Sequence, residues 1–510
     1  MTDSFASNQK NSAREAAYAA VEVLNAKSTS MLEYQSRGHI LVLGNKSAAG
    51  QYVDLPEPLT MELIEVDSTE EVLIEGALGQ FVVKHGKVEK KADLVLDLSP
   101  EPQLSMALKP PGYVFVDVEQ DAPNEVIDTL VEMVGTFDKP RYFNYDESLC
   151  AHGRSGKPGC TRCIDACPAE AITSLINKVE VDPYRCQGGG ICATVCPSGA
   201  IAYAFPYAED LQKHLRTLIF TYIDQGGGAP EILFVTEQES DRALLMLPSA
   251  LVVKVEEVAS VGPDVWLSAL AWGARNIQLF DLDGMPEPAR KALDINVEMV
   301  EAMLSGMSYP PSVLSVIIDQ GDLLATKSMP AIERAKHAAF GQKRQTLFMA
   351  LDHLVEQSLA CELPVELPQG SIFGEAIVNQ DACTLCMSCV SACPGNALQD
   401  GGDKPSLGFL EENCYQCGIC ETTCPEGAIS IKPRIVYDPK VRKKPRSLHE
   451  EQPFCCLSCG KPFATLSGIT AILGKLEGHS MFGDERSKQR LKMCGDCRVK
   501  DMMEDPNVDL

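Results

Sequence analysis

Eight cysteines between residues 383 and 424 constrain this chain more than any other feature. They stand in the runs CTLCMSCVSACP and CYQCGICETTCP. The first supplies Cys383, Cys386, Cys389 and Cys393, the second Cys414, Cys417, Cys420 and Cys424, with Pro394 and Pro425 directly after. Three closely spaced thiolates can wrap one face of an iron–sulfur cubane, while a fourth, just before proline, is aimed at a neighbouring cubane. The expected sets are therefore Cys383, Cys386 and Cys389 with Cys424, and Cys414, Cys417 and Cys420 with Cys393. Zinc takes four ligands, usually as two separated pairs, and two complete runs of four fit it poorly.

This is the double run of a bacterial-type ferredoxin with two 4Fe–4S clusters. A second such stretch lies upstream: Cys150, then Cys160, Cys163 and Cys167, then Cys186, Cys192 and Cys196. After each Cys-Pro comes x-x-Ala-Ile or x-x-Ala-Leu, at Ala171-Ile172, Ala200-Ile201, Ala397-Leu398 and Ala428-Ile429. Copies in two pairs point to two modules of one kind. The first module departs from the ideal twice. An insert, AHGRSGKPG, separates Cys150 from Cys160, and Gly189 stands where the middle cysteine of CQGGGICATVCP should be. The swapped-ligand rule gives one cluster Cys150, Cys160, Cys163 and Cys196, and leaves the other Cys167, Cys186 and Cys192. Three thiolates can hold a 3Fe–4S cluster, or a 4Fe–4S cluster whose remaining iron binds water, hydroxide or another side chain. The reading favours an occupied site, with a lean to 3Fe–4S. Its potential should differ, within a range of roughly −700 to +450 mV.

The remaining metal signature is C-terminal. CCLSCGKPF and MCGDCR offer Cys456, Cys459, Cys494 and Cys497, two Cys-x-x-Cys pairs suited to a tetrahedral four-thiolate site. Zinc in a ribbon or treble-clef domain is the first choice and a rubredoxin-like iron centre the second. Cys455 could replace Cys456, at worse spacing. Of the 21 cysteines, Cys361 and Cys455 are left over.

The net charge of −26 argues against nucleic acid and against an anionic membrane surface. No apolar run reaches about 18 residues, so no membrane span is expected. The first residues carry no basic n-region with an apolar h-region and no twin arginine, which predicts a cytoplasmic protein. Clustered cysteines suit metal binding in a reducing compartment.

The fold expected is multidomain α+β: two ferredoxin modules separated by a parallel-sheet α/β domain. Residues 1–37 read as a helical arm. Residues 38–140 read as a β-rich or α/β domain, from strands such as HILVLG, QFVVKHG and ADLVLDL. Residues 141–205 form the first module. Residues 206–360 alternate strand and helix without cysteine, ending in a helix-rich stretch, IERAKHAAFGQKRQTLFMALDHLVEQ. Residues 361–432 hold the second module, more acidic than the first, so a partner facing it is expected to be basic. Residues 433–450 read as a solvated basic linker, and 451–510 as the four-cysteine domain. Gly44 and Gly50 do not make a dinucleotide fingerprint. Trp266 and Trp272 read as core.

Two resemblances add to this. The segment from Val255 to Phe280, GPDVWLSALAWGARNIQLF particularly, resembles the delta subunit of methyl-viologen-reducing hydrogenases. That family's cluster cysteines are absent here, so the resemblance implies a fold and a docking role. The whole order of motifs, CAHGRSGKPGCTRC above all, resembles the cytoplasmic 4Fe–4S binding (polyferredoxin-like) proteins encoded beside proteobacterial molybdenum formate dehydrogenases. It implies a role in handling electrons for, or to, such an enzyme, with the three 4Fe–4S clusters and one three-cysteine cluster that the cysteine spacing gives. No Walker loop, nucleophile elbow or His-Glu metalloprotease motif suggests substrate turnover. Two alternatives stay open: an oxidoreductase subunit with a flavin or nucleotide site, and a maturation or scaffold factor for a molybdenum enzyme.

Overall fold

A computed structural model describes residues 2–66, 72–338, 341–361, 364–402, 404–476, 479 and 482–505. It divides into two compact units. The first is Met1–Ser148, Thr161–Leu175 and Val179–Cys361; the second is Leu149–Cys160, Ile176–Lys178 and Glu362–Leu510.

In the first unit the strand His39–Gly44 sits inside a parallel sheet, between Thr60–Glu65 and Leu94–Asp97, with Tyr113–Phe115 beyond. Its alternation explains its continuous apolar run. Ile40 and Val42 face one core with Leu94, Leu96, Val126 and Leu130. Leu41 and Leu43 face another with Val72, Ile74, Phe81 and Val83. A strand buried on both faces carries no polar side. The helix Pro123–Glu132 supplies the first cover, and the antiparallel strands Val72–Glu75, Phe81–His85 and Val88–Ala92 supply the second. Strand Met31–Ser36, expected inside the helical arm, pairs instead with Gly135–Pro140.

The middle domain is a second parallel sheet in the order Leu251–Val255, Glu231–Thr236, Asn276–Phe280, Leu314–Ile317. The helix Pro263–Ala271 is mainly apolar and buried along its whole length, as a helix in a core is, with its buried Asp264 held by Gln212 at 2.7 Å. Trp266 and Trp272 are fully buried, and Trp272 Nε1 donates to His337 O at 3.1 Å. The N-terminal helix Thr2–Glu22 covers the edge strand: Tyr18 Oη accepts from Val252 N at 2.7 Å and donates to Val252 O at 3.1 Å. The helix-rich stretch before the second module is helical only from Lys343 to Gln357. Residues 328–338 run without helix, because their backbone bonds elsewhere: Met329 N donates to Arg275 O at 2.7 Å and Ala335 N to Ala271 O at 2.8 Å.

Both cysteine modules use one pairing scheme. In the first, Phe143–Tyr145 pairs antiparallel with Ile201–Tyr203, and Ile172–Ser174 with Val179–Val181. In the second, Gly374–Val378 pairs with Ile429–Ile435, and Leu398–Asp400 with Ser406–Phe409. No described helix is long and apolar enough to cross a membrane.

Leu270, fully buried, tests the middle core. Leu270→Ala should cost about 2–5 kcal/mol. The chain's two tryptophans both lie beside it, so a lowered urea midpoint in tryptophan fluorescence reports this domain.

Candidate metal centres

The second module sorts its cysteines into two cavities. Cys383, Cys386, Cys389 and Cys424 line one, with Leu385, Leu407 and Ile429. Cys393, Cys414, Cys417 and Cys420 line another, with Phe409, Ile419 and Ile431. These are the two sets the sequence predicts, the exchanged fourth cysteine included.

The backbone explains how the sulfurs converge. The second and fourth residues after the first cysteine of each run take positive φ: Leu385 at 51° and Met387 at 59°, then Gln416 at 50° and Gly418 at 77°. The chain is thereby curled around a point instead of along a helix. Each closing cysteine then accepts from an amide four residues on. Ala397 N donates to Cys393 Sγ at 3.2 Å, and Ala428 N to Cys424 Sγ at 3.3 Å. This gives the recurring alanine a role the sequence reading missed. The residue is buried and aims an N–H at sulfur. Gln416 Nε2 adds a bond to Cys414 Sγ at 3.3 Å.

Burial pushes the Cys389 and Cys417 thiols up to about 12, and Cys420 up as well. A lone buried thiol of this kind keeps its proton at neutral pH. Coordination to a positively charged centre draws it off, so the donor set fits a metal cluster.

In the first unit Cys167, Cys186 and Cys192 act electrostatically on one another, and burial raises all three thiols. Cys163 and Cys196 also lie within reach of Cys192. The loop from Cys186 repeats the second module's backbone: Gly188 and Gly190 have φ of 85° and 68°, at the places held by Gln416 and Gly418. Gly189 between them matches Cys417. A Cβ built there meets nothing within 4 Å. Arg185 Nε, buried without a hydrogen-bond partner, lies near enough to lower the Cys167 thiol against its burial. The loop is folded as a cluster loop with one cysteine missing.

Cys150 and Cys160 belong to the second unit. The insert between them closes on itself: Cys160 N donates to Ala151 O at 2.9 Å and Gly159 N to His152 O at 2.7 Å. It then docks on the helix Ile419–Thr423. Thr422 Oγ1 donates to Pro158 O at 2.9 Å, and a Cβ at Gly159 would meet Ala151 O at 2.7 Å and Ile419 Cβ at 3.3 Å. Arg154 Nη1 donates to Cys393 O at 3.3 Å. The charge of Cys160 reaches Cys417. The insert is thus a closed loop packed on that helix.

Cys456, Cys459, Cys494 and Cys497 converge, their sulfurs all within 4.8 Å of one another. The first pair sits in the turn between strands Pro453–Cys455 and Pro462–Thr465, and the second opens the helix Gly495–Met503. Burial pushes the Cys456 thiol up, but amide donors from Cys494, Cys459 and Ser458 outweigh it and hold the thiol at about 6. Cys455 is exposed, and Cys361 is half-buried with its thiol raised by burial.

The basic segment after the second module is not a solvated linker. Arg446–Glu450 is a strand paired with Ser406–Phe409. Arg442, 1% exposed, bonds Glu412 at 2.9 Å and Tyr437 O at 2.7 Å. Arg434 grips Glu411 through two nitrogens at 2.8 and 2.6 Å and meets Glu375 at 2.8 Å, which also pairs with Arg446. Acids beside buried cysteine loops need cations, and this segment provides them. Lys440, Lys443 and Lys444 do stay exposed.

The model of the 4Fe-4S dicluster domain matches residues 158–200 and 382–428, the two regions just described. A ferredoxin-like protein in the nif region of Rhizobium leguminosarum bv. trifolii is 43% identical over 55 residues, which are 84% of that protein and 11% of this chain. This chain belongs to the ferredoxins. The ferredoxin-type protein NapF of Escherichia coli K12 is 34% identical over 95 residues, 17% of this chain and 58% of NapF. The pyruvate synthase subunit PorD of Thermotoga maritima is 38% identical over 62 residues, 12% of this chain and 61% of PorD. The ferredoxin match thus spans little more than half of NapF, and most of this chain lies outside it.

The ion pairs under the second ferredoxin module give a stability test. Glu412→Ala removes the carboxylate partner of buried Arg442 and should cost about 3–5 kcal/mol. Replacing both with apolar residues of similar volume should cost far less. Urea unfolding followed by visible cluster absorbance checks both.

Proposed function

We propose that this ferredoxin relays single electrons between a cytoplasmic redox enzyme of the formate dehydrogenase type and a carrier. The observation that carries the reading is the division of eight cysteines between two cavities, one expected ligand set to each. A bound iron–sulfur cluster supplies reversible one-electron chemistry. The polypeptide fixes the sulfurs through its left-handed residues, donates amide N–H groups to them, and excludes water with Leu385, Phe409, Ile419 and Ile429.

The inventory proposed is three 4Fe–4S clusters and one 3Fe–4S cluster. The first two use Cys383, Cys386, Cys389 with Cys424, and Cys414, Cys417, Cys420 with Cys393. The third uses Cys150, Cys160, Cys163 and Cys196. The 3Fe–4S cluster falls to Cys167, Cys186 and Cys192, supported by the open space at Gly189. Zinc is assigned to Cys456, Cys459, Cys494 and Cys497: a turn pair facing a helix N-terminus is the treble-clef arrangement of a closed four-thiolate site. The cysteine-free middle domain is assigned to docking the enzyme partner, on its resemblance to the hydrogenase delta subunit. The resembling motifs favour a molybdenum formate dehydrogenase.

A nucleotide site in the middle domain is the weaker reading. Ligands of open parallel sheets bind outside the carboxyl ends of the strands. There stand Glu239, Glu257 and Asp281; burial and mutual repulsion push up the Glu257 and Asp281 carboxyls. A phosphate would meet negative charge. A scaffold role predicts clusters without reversible reduction.

Redox-titrated EPR on anaerobically purified protein tests the relay. Reversible signals from the clusters are expected; colourless, iron-poor protein would sink the proposal. Gly189→Cys should convert the oxidised 3Fe–4S signal into a fourth 4Fe–4S signal and raise iron per chain. An unchanged spectrum would refute the three-cysteine assignment. Cys459→Ser should lower bound zinc and leave iron unchanged, read by elemental analysis.

A further inference from the structure

Two lysines distant in sequence reach the backbone of the three-cysteine loop in the first unit. Lys343, at the start of its helix, donates to Ala193 O at 2.8 Å, to Thr194 O, and to Cys196 O at 3.1 Å. Lys139 donates to Cys186 O at 2.5 Å, to Tyr184 O at 3.1 Å and to Tyr34 Oη at 2.6 Å. The Tyr34 hydroxyl gives its own proton to Tyr184 O at 2.6 Å, so it accepts from the lysine. Each nitrogen therefore serves three acceptors. A neutral amine has two N–H donors and an ammonium three, so the geometry fits charged lysine at both places.

These charges are desolvated, which weakens screening. Burial lowers the pKa of both lysines; Asp264, Cys196 and Cys192 act the other way on Lys343, and Cys186 and Asp182 on Lys139. Arg185 adds a third cation beside Cys167. The opposing carboxylates are Asp182, tied to Tyr184 N and Arg185 N at 2.8 and 3.2 Å, and Asp264, held by Gln212 at 2.7 Å. In the second unit one cation, Arg154, reaches a ligand carbonyl, Cys393 O at 3.3 Å, while carboxylates act on two of the cysteines: Glu421 on Cys420 and Glu451 on Cys383. Reduction adds one negative charge to a centre. Nearby cations favour the reduced form and nearby carboxylates the oxidised form.

We propose that Lys139 and Lys343 hold the Cys167–Cys186–Cys192 centre at a higher reduction potential than the two centres of the second module, so that an electron entering the relay comes to rest there. This builds on the relay reading. It adds an order of potentials and names two residues, outside the cysteine set, that impose it.

The test is the EPR redox titration of the full-length holoprotein, following the signal that Gly189→Cys assigns to this site. The site should be reduced before the second module's centres as the poise is lowered. Lys139→Met and Lys343→Met should each lower the reduced-to-oxidised ratio at a fixed poise about tenfold, a shift of about 59 mV for one electron. Lys343→Arg should keep most of the wild-type value. Where a Met variant sheds iron, the Gln variant, which keeps two donors without the charge, should show the same shift. Unchanged midpoints at wild-type iron content, or a wild-type site reduced together with or after the second module, would overturn the proposal. If every neutral variant loses the cluster, the wild-type order alone decides. Absence of any reversible signal would instead remove the relay itself.

Discussion

A chain can present three sulfurs to one point only if its backbone turns back within six residues. Here the turn is made by paired left-handed residues: Leu385 and Met387, Gln416 and Gly418, Gly188 and Gly190. For a non-glycine residue this conformation costs of order 1–3 kcal/mol, so Leu385, Met387 and Gln416 must be held there by their surroundings. Leu385 is buried in the module's core with Ala376, Leu407 and Ile429. Gln416 is tied by its side chain to Glu375 O at 3.2 Å and to Cys414 Sγ. The short antiparallel strands are the frame that keeps the loops curled, and the closing Cys-Pro segments, with their alanine amides aimed back at sulfur, lock each loop to its neighbour.

Ligand spacing is local, and that is why it was legible. The cysteine groupings expected for the second module follow from intervals of two and three residues, and the same cysteines line the two cavities together. The parallel strand His39–Gly44 was legible for a similar reason: no polar position interrupts it, so both faces had to be covered. The failures are all long-range. Residues 328–338 have a helical pattern, but tertiary bonds to Arg275 and Ala271 take their amides, and intrinsic propensity yields to such contacts. The basic segment around Arg442 looks solvated because its acids, Glu375, Glu411 and Glu412, lie up to 71 residues away. Lys343 lies 147 residues from Cys196, and nothing in the spacing of either hints at the other.

The same paired acids change what net charge means for this protein. A chain at −26 invites a basic partner, and the second module looks the most acidic part of the redox region. Glu375, Glu411 and Glu412 are nevertheless consumed inside the fold by Arg434, Arg442 and Arg446, with Arg446 also stacked 5.2 Å from the Phe409 ring centroid. The acidic groups left to face outward are fewer than composition implies, so steering by charge would rest on residues such as Asp381 and Asp400, exposed beside the cysteine runs.

The two modules therefore differ less in scaffold than in what surrounds the sulfur. Strand pairing recurs in both; the left-handed positions recur at Gly188 and Gly190, and the alanine amide at Ala171 beside Cys167, while Ala200 N donates to Ser198 Oγ instead. The surroundings do not recur. One site has glycine at 189 in place of a thiolate; Lys139 caps the carbonyl of Cys186, and Lys343 caps those of Ala193, Thr194 and Cys196 beside it. The other keeps all its thiolates and has glutamates at hand. A protein that duplicates a fold to gain centres must break the equivalence of the copies if electrons are to move one way. Side chains outside the cysteine runs can do so without disturbing the loops that hold the metal.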